Sequence, residues 1–220
     1  MSVLGEGDQI SQVTQVHRSA RSVQTIAIIG TIHFPNQTAP RRLNLSDLRN
    51  TLPDYAKDLK LNLDSVLSET GAAGLDGKQI RAIALASAIA ARHAPLVAAI
   101  GAFAAEQLSP EELDGAKAAS AIMVMNNIYY RATHLIHNDE YGQLRAGLRM
   151  NIMGNSGLDK ITFELASLAV SAINGCGACL DSHERVIREH DVSAQGVQSA
   201  LKIGAVVHAV AVTLEQNQAA

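Results

Sequence analysis

An all-α fold is what this sequence predicts, and three observations carry the prediction. The apolar share of its 220 residues, 47%, is mostly Ala, Leu, Ile and Val, with no Trp, three Phe and four Tyr. A composition rich in Ala and Leu and poor in aromatics suits closely packed helices better than a sheet sandwich or barrel. Helix-start signals recur along the chain. One helical unit also occurs twice.

The elements are read in order. Residues 1–44 mix Ser, Gln, Thr and Gly around one β-leaning run at 23–34, which Pro35, Pro40, Arg41 and Arg42 then break. That run has no second strand to pair with, so residues 1–44 are expected to be a mobile extension. Residues 45–220 form the helical domain, with Ser46 expected to cap its first helix ahead of Asp47. Ser109-Pro110-Glu111-Glu112 is a complete start signal, with a cap, Pro at the first helical position and Glu three residues after the cap. Asp159 opens a helix through Ile161, Phe163, Leu165 and Leu168 that stops at Gly175. Ser193 caps a final long helix over 197–214, and glycines at 71–77 and 154–157 mark loops.

A shift of 84 residues lays 87–96 (SAIAARHAPL) on 171–180 (SAINGCGACL) and Ser109 on Ser193. The two copies run about 76–127 and 159–211. Under this shift Glu164, Cys176, Cys179 and His183 fall on Ile80, Arg92, Pro95 and Ala99. The first copy therefore reads as scaffold and the second as the carrier of the chemistry.

The net charge is −3 without a basic stripe, which argues against nucleic acid as a partner. No apolar run approaching the ~20 residues of a membrane span is evident. The polar start, with Glu6 and Asp8, does not read as a secretory or transit segment. A cytoplasmic location is expected, where a Cys-x-x-Cys pair is catalytic, redox-active or metal-binding.

Cys176 and Cys179 are the only cysteines. On the helix before them, Glu164, Leu168, Ser171 and Gly175 share one face; on the helix after, Cys176, Cys179 and His183 do. A thiol reacts as thiolate, which the positive end of a helix favours. An imidazole one turn away can take the proton, and a carboxylate can hold the imidazole. Spacing i, i+3 lets the pair form a sulfenic acid and close it to a disulfide. Two other readings stand beside this one. The pair could join His183 and Glu164 around zinc, although no second pair of cysteines is present. It could also be two inert buried thiols, against which the Gly175 break and the cysteine-free first copy argue. A thioredoxin fold lacks its strand–helix–strand setting here.

Residues 52–59 (LPDYAKDL), 125–131 (MNNIYYR), 148–151 (LRMN) and above all 171–176 (SAINGC) resemble the AhpD family of the carboxymuconolactone decarboxylase superfamily. The pattern Glu-x6-Ser-x4-Cys-x2-Cys-x3-His of that family is met by Glu164, Ser171, Cys176, Cys179 and His183. The resemblance implies a helical homotrimer that reduces organic hydroperoxides and restores an AhpC-type peroxiredoxin. It implies no tightly bound cofactor. Electrons would come from the lipoyl group of a dihydrolipoamide acyltransferase, recharged by lipoamide dehydrogenase. By position, Cys179 would be the peroxidatic thiolate that becomes sulfenic acid, and Cys176 the resolving thiol and proton donor. Glu164 and His183 would relay protons. One departure is Ala178, where well-known members often carry His. The alternative function is a general dithiol–disulfide exchanger with little peroxidase activity of its own.

Overall fold

The protein is seen in a computed structural model that describes residues 44–218. The chain divides into Met1–Pro40 and Arg41–Ala220, and every described residue belongs to the second unit. The expected mobile extension, with its β-leaning run at 23–34, lies outside the described residues except for Asn44.

Among the described residues there are helices and no strand. They are α1 (Leu45–Asn50), a 3₁₀ turn (Asp54–Ala56), α2 (Lys57–Val66), α3 (Gly77–Ala91), α4 (Ala94–Ala104), α5 (Pro110–Leu135), α6 (Glu140–Gln143), a second 3₁₀ turn (Asn151–Gly154), α7 (Lys160–Ile173), α8 (Gly177–Glu189) and α9 (Ala194–Gln218). Local signals set most of the boundaries. Asp159 caps α7 by accepting from the N–H groups of Ile161 and Thr162, both at 3.0 Å. Ser193 accepts from Gly196 N–H at 3.1 Å, so α9 opens at Ala194, three residues ahead of the expected start.

The first cap is a correction. Asn44, not Ser46, caps α1, accepting from Asp47 N–H at 2.8 Å, and Ser46 is already helical. Asn is as good a cap as Ser. Starting at Asn44 also turns Leu48 into the core, where it is 1% exposed.

At the head of α5, Ser109 accepts from Glu112 N–H and the Glu112 carboxylate accepts from Ser109 N–H. Lys78 Nζ donates to the same carboxylate at 2.7 Å. The Lys78 hydrogen bond first, then the Ser109 N–H, hold the Glu112 carboxyl below its usual range. Since the folded pKa is the depressed one, the contribution is present above the unfolded value of ~4.3 and fades as pH falls through the folded one. Ser109→Ala is expected to cost about 1 kcal/mol in urea unfolding at neutral pH. Glu112→Gln should destabilise at neutral pH, with the gap from wild type narrowing in acid.

The unit α3–α4–α5 recurs as α7–α8–α9. Asp76 caps α3 as Asp159 caps α7, and Arg92 (φ 66°) turns left-handed before α4 as Gly175 (φ 68°) does before α8. His93 stands at the cap of α4 as Cys176 stands at that of α8. These three landmarks are 83 residues apart; only the caps Ser109 and Ser193 are 84 apart. The offset changes because α8 has 13 residues against 11 in α4, while the loop after it is one residue shorter. The pairing read from sequence is therefore corrected by one residue in the first two helices. Opposite Glu164, Cys176, Cys179 and His183 stand Arg81, His93, Leu96 and Ile100, not Ile80, Arg92, Pro95 and Ala99. Leu96 and Ile100 are fully buried, so copy one spends these positions on packing.

Helices α3 and α7 form the centre, packed on each other and each on both α5 and α9. Their buried residues run round most of each helix, including Ile80, Ile83 and Ser87 on α3 and Phe163, Leu165 and Leu168 on α7. Small residues bring α7 and α9 close: a Cβ at Gly204 would sit 3.2 Å from the Ala169 carbonyl oxygen. Helix α9 is long and apolar enough to cross a membrane by length and composition, which the sequence reading did not anticipate. That apolarity is used in the core, where Val197, Ala200, Ile203, Val207, Val210 and Leu214 are buried. Helix α1 packs on α4, and α2 on α9. Their counterparts α8 and α5 carry no such cover from α1 and α2, and the cleft opens there.

Candidate active site

Gly175 ends α7 in the left-handed region, a conformation that costs any residue with a Cβ. Cys176 then caps α8, and Cys179 is the third residue inside it. The first intrahelical donor of α8 is Leu180 N–H, bonded to the Cys176 carbonyl at 3.0 Å. Both sulfurs thus stand in the first turn, among unpaired N–H groups at the positive end of the helix.

Cys176 and Cys179 are joined as a disulfide, with Cα atoms 5.3 Å apart. Cys176 is fully buried. Cys179 is 7% exposed and borders a cavity of about 330 Å³. Helix α8 contributes Ala178, Cys179, Ser182 and His183 to that wall; α5 contributes Met123, Asn126 and Tyr130; Met150 and Met153 close it from the segment before α7.

His183 and Glu164 meet as their faces foretold. His183 Nδ1 lies 2.6 Å from Glu164 Oε2, and both side chains are nearly buried. With Nδ1–H donating to the carboxylate, Nε2 is the nitrogen left on the cavity side, 3.2 Å from Met123 Sδ. Ser171 takes a different part. Its Oγ accepts from Asn127 Nδ2 at 2.8 Å, tying α7 to α5 behind the thiols.

Spacing alone did not identify Met123, Asn126, Tyr130, Met150 and Met153 as lining residues. Two of the segments quoted for the family resemblance, 125–131 and 148–151, contain Asn126, Tyr130 and Met150, but the residues carried no local sign of their task. Asn126 donates to Met150 Sδ at 3.0 Å, and its Oδ1 has no partner among the described residues. Among the described residues no three His, Cys, Asp or Glu are grouped as a metal site.

A chain whose described residues fold into helices, with a disulfide-forming Cys-x-x-Cys at the head of one helix and an imidazole, paired to a carboxylate, on the same cleft, defines a helical dithiol protein. A model of the carboxymuconolactone decarboxylase family matches residues 139–220. Alkyl hydroperoxide reductase AhpD of Streptomyces coelicolor is 53% identical over 173 residues, covering 79% of this chain and 96% of the relative. The proteins of the same name from Hyphomonas neptunium and Maricaulis maris are 51% and 54% identical, covering 80% and 78% of this chain and 97% and 98% of theirs. The chain belongs to the AhpD family.

Proposed function

We propose that this protein is an antioxidant alkyl hydroperoxidase that reduces organic hydroperoxides through Cys176 and Cys179. The observation that carries the reading is the unequal placement of the two sulfurs. Cys179 borders a cavity walled by thioethers and an aromatic ring, next to the His183–Glu164 pair, while Cys176 is sealed behind it. The relatives' name, alkyl hydroperoxide reductase, points the same way.

The chemistry balances with these groups. The Cys179 thiolate attacks the terminal oxygen of ROOH; an S–O bond forms, the O–O bond breaks, and the alkoxide takes a proton to leave as ROH. His183, steadied by Glu164, holds and returns that proton. The Cys176 thiolate then attacks the sulfenic sulfur, forming the disulfide and releasing water after proton uptake. A dithiol donor reopens the disulfide by exchange and becomes a disulfide itself.

The donor is proposed to be the lipoyl group of a dihydrolipoamide acyltransferase, with lipoamide dehydrogenase behind it and an AhpC-type peroxiredoxin as the protein served. The setting is the cytoplasm. A homotrimer fits the apolar residues on the end of α5 and the segment after it. Ile128, Leu135, Ile136, Tyr141, Leu144 and Ile152 are between 41% and 64% exposed, an apolar surface of the kind that marks an interface.

The test is a thiol count. One equivalent of cumene hydroperoxide should take the reduced chain from two thiols to none, and dihydrolipoamide should restore both. A chain that exchanges thiols with disulfides but ignores the hydroperoxide would be the general dithiol–disulfide exchanger instead.

A further inference from the structure

The repeat supplies an internal control for the surroundings of Cys176. In the cysteine-free copy, His93 stands where Cys176 does, and the α5 positions Asn127 and Arg131 correspond to Ala211 and Glu215 on α9. Asn174 corresponds to Ala91. The first copy has a hollow of about 490 Å³ bordered by Ala91, Arg92, His93, Ala211 and Glu215. In the second copy the matching positions hold a clasp. Asn174 Nδ2 donates to Asn127 Oδ1 at 2.9 Å, and Arg131 Nη1 donates to the Asn174 carbonyl oxygen. Asn127 and Arg131 lie one turn apart on α5 and grip a single residue from both ends.

Charge follows the same division. Glu215 Oε2 lies 3.9 Å from Nε2 of His93, a ring that can become positive. Arg131 comes to the residues next to Cys176, a thiol that can become negative; a Cβ on Gly175 would lie 3.8 Å from Arg131 Nη1. Only the copy with thiols has the clasp; the cation of the first copy, Arg92, borders the hollow from the position of Gly175. Packing alone gives no reason for that difference, because the first copy folds with alanines and a hollow there.

We propose that Arg131 is a positioning residue for Cys176: clamped on the Asn174 carbonyl, its guanidinium fixes the Gly175 turn and places a positive charge beside the thiolate that Cys176 becomes on reduction. Asn127 completes the clasp by holding the Asn174 side chain. The charge makes Cys176 a ready resolving nucleophile and a ready leaving group when the disulfide is reopened. The inference deepens the hydroperoxidase reading, yet its test does not depend on which oxidant the protein meets.

The test titrates one thiol. In the Cys179→Ser chain, thiolate absorbance near 240 nm follows Cys176 alone. Adding Arg131→Leu should raise its midpoint by roughly one pH unit at low salt, as removal of a neighbouring positive charge disfavours the thiolate. The rise should shrink in 1 M salt, and Arg131→Lys should retain most of the wild-type midpoint. Arg131→Gln gives the same reading if the leucine variant does not fold. In chains with both cysteines, Arg131→Leu should slow conversion of the Cys179 sulfenic acid to disulfide by roughly ten-fold at neutral pH while leaving sulfenic acid formation at its wild-type rate. Identical midpoints in the arginine, lysine and leucine chains overturn the proposal, as does a lysine chain that shifts as far as the leucine one. If the titration behaves as expected but the reduced wild-type chain ignores hydroperoxide, the hydroperoxidase reading falls and the role of Arg131 stands.

Discussion

Cys179→Ser is expected to abolish hydroperoxide reduction, while Cys176→Ser should still react once and stop at a sulfenic acid on Cys179. The serine hydroxyl at 179 cannot supply a nucleophile comparable to a thiolate at neutral pH, and the cavity offers no second thiol, because Cys176 is sealed from it. With Cys176 gone, nothing in the chain can close the sulfenic acid, since Cys179 is then its only thiol. A dimedone-type probe read by peptide mass spectrometry should label Cys179 in the Cys176→Ser chain and nothing in the Cys179→Ser chain. The reverse pattern would make Cys176 the attacking thiol and exchange the two roles.

His183→Phe is the second large expected effect. If His183 manages the proton that the alkoxide needs, its loss should slow turnover by ~10² to 10⁴-fold, the usual worth of a positioned acid–base group. Glu164→Gln keeps an oxygen for Nδ1–H to reach but removes the charge, so its loss should be smaller. Stability separates chemistry from folding. His183→Phe strands a nearly buried carboxylate and is expected to cost about 1–3 kcal/mol; combining it with Glu164→Gln should recover part of that cost and none of the rate. Ile100, the counterpart of His183 in the first copy, provides the control. Ile100→Val should lower stability by about 0.5–1.5 kcal/mol and leave turnover unchanged. A His183→Phe chain with near wild-type turnover would remove the relay from the mechanism.

Much of the fold was legible because its signals are local. A cap such as Asp159 or Ser109 satisfies donors three residues away, so the necessary partners lie in one short string. The same holds for the break at Gly175 and for the shared face of Cys176, Cys179 and His183. The first cap was misplaced because Asn44 and Ser46 are equally good caps two residues apart, and the choice depends on where Leu48 must point. The repeat was found but set one residue off in two of its three helices. Matching residue types in an Ala-rich chain scarcely distinguishes offsets of 83 and 84, whereas caps and left-handed turns are fixed by backbone geometry.

The sequence by itself determined that this protein is helical, that its unit occurs twice, that two thiols head one helix, and that His183 shares their face. Each of these follows from spacing along one helix or across a short turn, where bonded geometry leaves few choices. Tertiary structure alone decided which sulfur borders a cavity, what lines it, and what grips the turn before Cys176. Met123, Asn127 and Arg131 on α5 lie more than forty residues from the thiols in sequence, and only the packing of α5 against α7 and α8 brings them there. A hydrogen bond such as Asn127 to Ser171 depends on the crossing of two helices, and helix crossing is a property of the assembled core rather than of any segment.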